Sequence, residues 1–254
     1  MEKDSDETKK ISIKQLPRNV WAVGFTSFFM DISSEMVVNV LPLFLSNVLG
    51  VQTSIIGLID GIAEATASIL KMFSGWLSDK MGGRKWLAVI GYGLSALFKP
   101  FYYFANTWGV VAGVRWADRV GKGIRTAPRD ALVADSVDQK TRGLAFGFHR
   151  AMDTAGALLG IAIAALVVWL TQRNTLSLGQ STFKVIVLLS LLPALLAVLS
   201  LAVGAKEVAV KGERAAPKFS LKSMGKPFSI FLVIDSIFTL GNSSDSFLVL
   251  RAQN

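Results

Sequence analysis

Residues 55–85 read Ile55-Ile56-Gly57-Leu58-Ile59-Asp60-Gly61-Ile62-Ala63-Glu64-Ala65-Thr66-Ala67-Ser68-Ile69-Leu70-Lys71-Met72-Phe73-Ser74-Gly75-Trp76-Leu77, then Ser78-Asp79-Lys80-Met81-Gly82-Gly83-Arg84-Lys85. The first part is an apolar run of about 20 residues, the length that crosses ~30 Å of hydrocarbon as a helix. The second is a short, cation-rich connection. Apolar run and basic connection alternate along the chain, and this alternation sets the fold class: all-α, a polytopic membrane helix bundle whose first partner is the lipid bilayer.

Working outward, seven such spans are expected: Asn19–Leu49, Ile55–Leu77, Trp86–Phe104, Trp108–Asp130, Leu144–Thr171, Phe183–Val203 and Pro227–Leu250. The composition agrees, with 52% hydrophobic residues in a chain of 254. The net charge of +9 would point to nucleic acid in a soluble domain. Here the cations fall largely between spans, so no nucleic-acid partner is expected. Without cysteine there is no disulfide framework and no thiolate metal site. The polar stretch 1–18 lacks the apolar core of a signal peptide and reads as a tail.

The cations also orient the chain. The tail, residues 80–85, residues 129–142 and residues 206–226 carry seventeen Lys and Arg, while the connections on the other side carry Lys99, Arg173 and Lys184. The positive-inside rule then places the N-terminus in the cytoplasm, in a cell inner membrane. Four segments are expected: tail 1–18, a six-helix bundle over 19–204, a cytoplasmic linker over 205–226, and 227–254 as the first helix of a second bundle. Phe28 with Ser33-Ser34-Glu35 recurs as Phe238 with Ser243-Ser244-Asp245, at a constant offset. Transporters built from repeated halves leave such internal symmetry. On this reading the sequence is a fragment missing the C-terminal half of its own chain.

The connection Gly75-Trp76-Leu77-Ser78-Asp79-Lys80-Met81-Gly82-Gly83-Arg84-Lys85 resembles the loop between helices 2 and 3 of the major facilitator superfamily, with Gly83 where that family usually has arginine. Arg115, Gly121 and Gly123 resemble part of its helix 4 motif, and Ala134-Asp135 and Arg142-Gly143 fall where its next loop elements fall. The resemblance implies twelve helices in two six-helix bundles, alternating access between them, and a gating latch drawn from Gly75, Asp79, Arg84 and Lys85. Directly from the residues, a carboxylate at Asp79 can accept bonds from Arg or Lys and from the N–H groups of a helix start. The helix 5 motif of the family's drug–proton antiporters is half present: Gly156 and Gly160 stand there, but Ile161 replaces proline.

The charges inside the spans carry the mechanism. They are Asp31 and Glu35; Asp60, Glu64 and Lys71; Arg115, Asp118, Arg119, Lys122 and Arg125; and His149, Arg150 and Asp153. Each costs roughly 2.5–3.5 kcal/mol at mid-bilayer, so they must face one another or a wet cavity. At about 100° per residue, Arg115, Asp118, Arg119, Lys122, Arg125 and Arg129 share one face of the fourth span. Gly109, Gly113, Ala117 and Gly121 form an opposite small-residue face, expected to pack tightly. An acid pair, Asp31 and Glu35, opposing Arg119 and Lys122 is the candidate substrate and proton-coupling site. Asp60, Glu64, Arg115, Asp118, His149, Arg150 and Asp153 complete the set. The same charges also read as a structural ion-pair network, and His149 also reads as a solvated or capping residue near a helix end.

The expected function is secondary active transport of a small polar, anionic or amphoteric solute, coupled to protons, as antiporter or symporter. A proton-coupled multidrug exporter is the alternative. No nucleophile–base arrangement, phosphate loop or metal-ligand cluster points to an enzyme, a cofactor or a metal.

Overall fold

The computed structural model describes residues 12–172, 177–208, 225–240 and 245–253. Among these residues there are helices and no strand. The long helices are α1 (Arg18–Val38), α2 (Thr53–Met81), α3 (Lys85–Phe98), α4 (Trp108–Asp135), α5 (Arg142–Thr171) and α6 (Gln180–Gly204), followed by α7 (Gly225–Leu240) and α8 (Asp245–Gln253). The first span runs on past α1: Leu41–Leu43 and a wide π turn at Phe44–Val48 continue it. Pro42 supplies no N–H there, which loosens the ladder where the helix widens.

Helices stand at the places of the expected spans, with two differences. The seventh is two helices, α7 and α8; Ser243 and Ser244, half of the internal repeat, lie outside the described residues, as do most of the tail and residues 209–224 of the linker. The third is shorter as an α-helix, because α3 tightens into a 3-10 segment at Lys99–Phe104. α2 ends where Gly82 takes φ 64°, a left-handed cap that a residue with a Cβ adopts only at a cost.

α1 is sandwiched between α5 and α6, α4 is sandwiched between α2 and α3, and α3 packing on α6 joins the two groups. Two apolar layers fill the bundle. One holds Met36, Phe44, Ile56, Val111, Phe183 and Ile186, with the rings of Phe44 and Phe183 stacked 3.9 Å apart. The other holds Val20, Met30, Ala88, Leu132, Ala197 and Leu201.

Glycines set the closest approaches, though not all those expected. A Cβ on Gly156 would meet the carbonyl of Phe28, and one on Gly160 would lie 2.6 Å from that of Ile32, so α5 rides on the α1 backbone. Gly121 faces Gly91 and Ser95 of α3, while Gly123 faces Ala67 and Leu70 of α2. Gly75 faces Ala127 at 3.3 Å. The expected small-residue face of α4 fails at its start: Gly109 and Gly113 are exposed and have nothing within 4 Å of a built Cβ. α4 packs instead through two glycines two positions apart, each serving a different neighbour.

Large apolar side chains are exposed along α2, α5 and α6, among them Leu58, Ile62, Leu158, Leu166, Leu188 and Leu192. An apolar belt of that extent cannot face water, and among the described residues four helical stretches are long and apolar enough to cross a membrane. Exposed Trp76 and Trp86 lie at one end of the bundle and Trp108 and Trp169 at the other, as interfacial aromatic belts require.

Candidate functional site

A cleft of about 320 Å³ opens between α1, α3, α4 and α5. It is lined by Asp31 and Glu35 of α1, Tyr92 of α3, Lys122, Arg125, Thr126 and Arg129 of α4, and Arg150, Asp153, Thr154 and Ala157 of α5. Of the sequence candidates, the fold thus gathers Asp31, Glu35, Lys122, Arg150 and Asp153 at one place. Steps of three or four residues in α4 stack Lys122, Thr126 and Arg129 on one stripe, and the α5 glycines bring that helix close enough to α1 to place Asp153 near Asp31.

Some of these groups are anchored and some are not. The Arg125 guanidinium lies 4.6 Å from the Tyr92 ring and donates to Ser95 Oγ. Arg129 donates to Asp130 Oδ1 through both Nε and Nη2. Asn39 Nδ2 donates to Glu35 Oε2 at 2.8 Å. Among the described residues, Lys122, Arg150 and Asp31 have no ion-pair partner within 4.0 Å. Arg125, Arg129 and Tyr92 were not among the candidate site residues. Arg125 and Arg129 stood on the charged helical face, and that spacing was the available signal.

The expected opposition of Arg119 to Asp31 and Glu35 does not occur. Arg119 Nε lies 3.2 Å from Glu64 Oε1, and Arg115 Nη2 lies 3.1 Å from Asp60 Oδ1. Asp60, Glu64, Arg115 and Arg119 therefore form a rail of pairs between α2 and α4, away from the cleft. The reason is angular. The charged arc of α4 spans about 120°, wide enough that its two edges face different helices. Asp118 is buried within electrostatic reach of Lys99.

Lys99 was counted among the loop cations, yet it is 3% exposed. Its Nζ donates to Ser33 Oγ and to Ser34 Oγ. The Ser33-Ser34 pair of the repeat thus holds a cation. His149 is buried and neither solvated nor capping: its Nε2 lies 2.8 Å from Ser27 Oγ and 3.6 Å from Asp153 Oδ1. Ser27 also meets the Tyr92 hydroxyl at 3.3 Å.

The expected latch is a cage around one guanidinium. Arg84, 1% exposed, lies 2.6 Å from Asp79 Oδ1 and 3.3 Å from Asp135 Oδ2, and donates to Ser78 Oγ at 2.8 Å. The carboxylate on the α3 start is not Asp79, as the sequence suggested, but Glu207, which accepts from the N–H groups of Arg84 (2.6 Å) and Lys85 (3.1 Å). Asp79 is committed to Arg84, which leaves the helix start to the residue that arrives after α6. The Lys85 side chain lies over the Trp86 ring instead. Arg18 and Asn19 hold the same arriving segment through the carbonyls of Gly204 and Lys206.

A sequence profile described as Major Facilitator Superfamily matches residues 23–250. The chain is 36% identical to an uncharacterized MFS-type transporter of Methanocaldococcus jannaschii, over 94% of this chain and 58% of that protein. It is 24% identical to a probable 4-methylmuconolactone transporter of Cupriavidus pinatubonensis, over 95% of this chain and 55% of that one. A POT family transporter crystallised with 5-aminolevulinic acid superposes with a TM-score of 0.66 at 16% identity, over 88% of this chain and 46% of that one. This chain thus spans about half the length of the proteins it matches.

Proposed function

The chain belongs to the major facilitator superfamily of membrane transporters, and on that premise we propose that it carries a small, polar, anionic solute by proton-coupled alternating access, as antiporter or symporter, in a cell inner membrane with its N-terminus cytoplasmic. In this reading α1 to α6 are one bundle and form one wall of the transport path. α7 and α8 are the first helix of a second bundle, which supplies the other wall beyond the linker 205–226.

The observation that carries the substrate class is the make-up of the cleft. Four cations, Lys122, Arg125, Arg129 and Arg150, face it with three carboxylates, Asp31, Glu35 and Asp153. A guanidinium fork and an ammonium without carboxylate partners are suited to a carboxylate or phosphate oxygen pair. Asp31 is a carboxylate without a fixed cation, hence one that can be neutralised by a proton while the solute occupies Lys122 and Arg150. Asp153 and His149 stand behind it as further carriers. The gating role falls to Arg84 with Asp79, Gly75 and Lys85 around it. The name of the Cupriavidus relative also supports a small organic solute.

The test is uptake by proteoliposomes of a panel of labelled small mono- and dicarboxylates, each beside its neutral amide, with ethidium as a lipophilic cation. The reading expects acids to accumulate under a pH gradient and amides not to. Accumulation of ethidium with indifference to the acids would reject it in favour of a drug exporter.

A further inference from the structure

We propose that Asp60 is a gating residue: with Gly57 it forms a releasable clasp for α8 at the end of the bundle opposite the Arg84 cage. The proposal rests on the alternating-access reading above, but it concerns residues outside the cleft.

The two oxygens of Asp60 are divided between two bodies. Oδ1 takes Arg115 of the same bundle, through Nε at 3.2 Å and Nη2 at 3.1 Å. Oδ2 accepts from the hydroxyl of Ser246 on α8. One turn earlier on the same face of α2 is Gly57, and the Phe247 ring sits on it: a Cβ there would lie 2.5 Å from Phe247 Cζ. Leu250, one turn beyond Ser246, is buried in the apolar layer of Val40, Leu41, Phe44 and Ile56. Three consecutive contacts thus dock α8 on α2 and on the segment Leu41–Leu43.

The chemistry of the clasp suits repeated opening. When Ser246 leaves, Asp60 keeps Arg115, so no buried charge is stranded; losing one partner of a lone ion pair would cost several kcal/mol. The departing hydroxyl is neutral, so opening breaks one hydrogen bond and separates no ion pair. A Gly57 seat with no side chain lets the ring slide out without interlocking. The Arg84 cage is built otherwise: its guanidinium is 1% exposed and held by two carboxylates and a hydroxyl.

The chain has no native cysteine, so introduced thiols report alone. It is the tip of the Phe247 ring that meets Gly57, which leaves the two Cβ atoms beyond the ~3.5–4.5 Å reach of a direct disulfide. The double variant Gly57→Cys/Phe247→Cys in membranes should therefore be joined by a short homobifunctional methanethiosulfonate, whereas Gly57→Cys/Phe238→Cys, with Phe238 76% exposed on α7, should not. Separately, a Thr154→Cys reporter in the cleft should be modified by an impermeant maleimide, applied from the Asp60 end, about fivefold faster when Ser246→Ala is added. Absence of the first cross-link would overturn the contact. A cross-link together with unchanged Thr154→Cys labelling would overturn its gating role. Neither readout needs a transported solute, so failure of every uptake assay would remove the transport reading and leave this test standing.

Discussion

The guanidinium of Arg119 lies 3.2 Å from the carboxylate of Glu64, so α4 turns this cation toward α2 and away from Asp31 on α1. One helix thereby serves two polar systems: a rail with α2 through Arg115 and Arg119, and a cleft with α1 and α5 through Lys122, Arg125 and Arg129.

A double-mutant cycle should separate the two. Arg119→Ala with Glu64→Gln should show coupling, because the two side chains meet across the α2–α4 seam. Arg119→Ala with Glu35→Gln should be additive. The check is thermal unfolding in detergent; coupling to Glu35 in place of Glu64 would refute the assignment.

Arg84 should matter more to stability than either of its carboxylates alone. Arg84→Met removes the guanidinium that Asp79, Asp135 and Ser78 share, and breaking a buried pair costs about 3–5 kcal/mol. Asp79→Asn keeps Asp135 in place and should cost less, while opening the Arg84 end more readily. Arg84→Lys should not restore stability, because one ammonium cannot reach Asp79, Asp135 and Ser78 as the fork does. Equal melting temperatures for Arg84→Lys and the parent would contradict this.

Much of this was legible in the sequence. The alternation of apolar runs and cations gave the helices, and the resemblance around Asp79 and Arg115 gave the family. Which side of α4 each charge faces was not legible, because an arc of about 120° leaves the partner of each edge to tertiary packing. Lys99 was counted with the loop cations although it falls inside the expected span Trp86–Phe104; there the chain tightens into a 3-10 turn and the ammonium reaches Ser33. Glu207 sits in the polar stretch after α6 and gave no periodic signal. Gly109 and Gly113 shared the four-residue spacing of Gly121 but lie beyond the reach of α3.

That last difference has a direct consequence. Gly113→Ala should be neutral or stabilising by about 0.5–1 kcal/mol, the usual helix-interior gain over glycine. Gly121→Ala must push against the Gly91 carbonyl, and Gly156→Ala against that of Phe28; both should lower the melting temperature and the yield of folded protein. A tolerated Gly156→Ala would mean that α5 does not ride on α1.

Orientation can be read with single cysteines at two exposed positions, Lys140→Cys and Ser177→Cys. Ser177 is preferable to its neighbour Leu178, which is buried. Impermeant maleimide should reach Lys140→Cys only from the cytoplasmic side and Ser177→Cys only from the other. Labelling of both from one side would overturn the topology.

The most direct measurement is solute-driven proton movement in pyranine-loaded proteoliposomes, using the small carboxylates that accumulate in the uptake panel. The account predicts that adding the acid moves protons with a saturable dependence on its concentration, that Arg150→Gln raises the concentration needed, and that Asp31→Asn leaves solute binding but abolishes proton movement. Proton movement that persists in Asp31→Asn, or solute uptake indifferent to both variants, would contradict it.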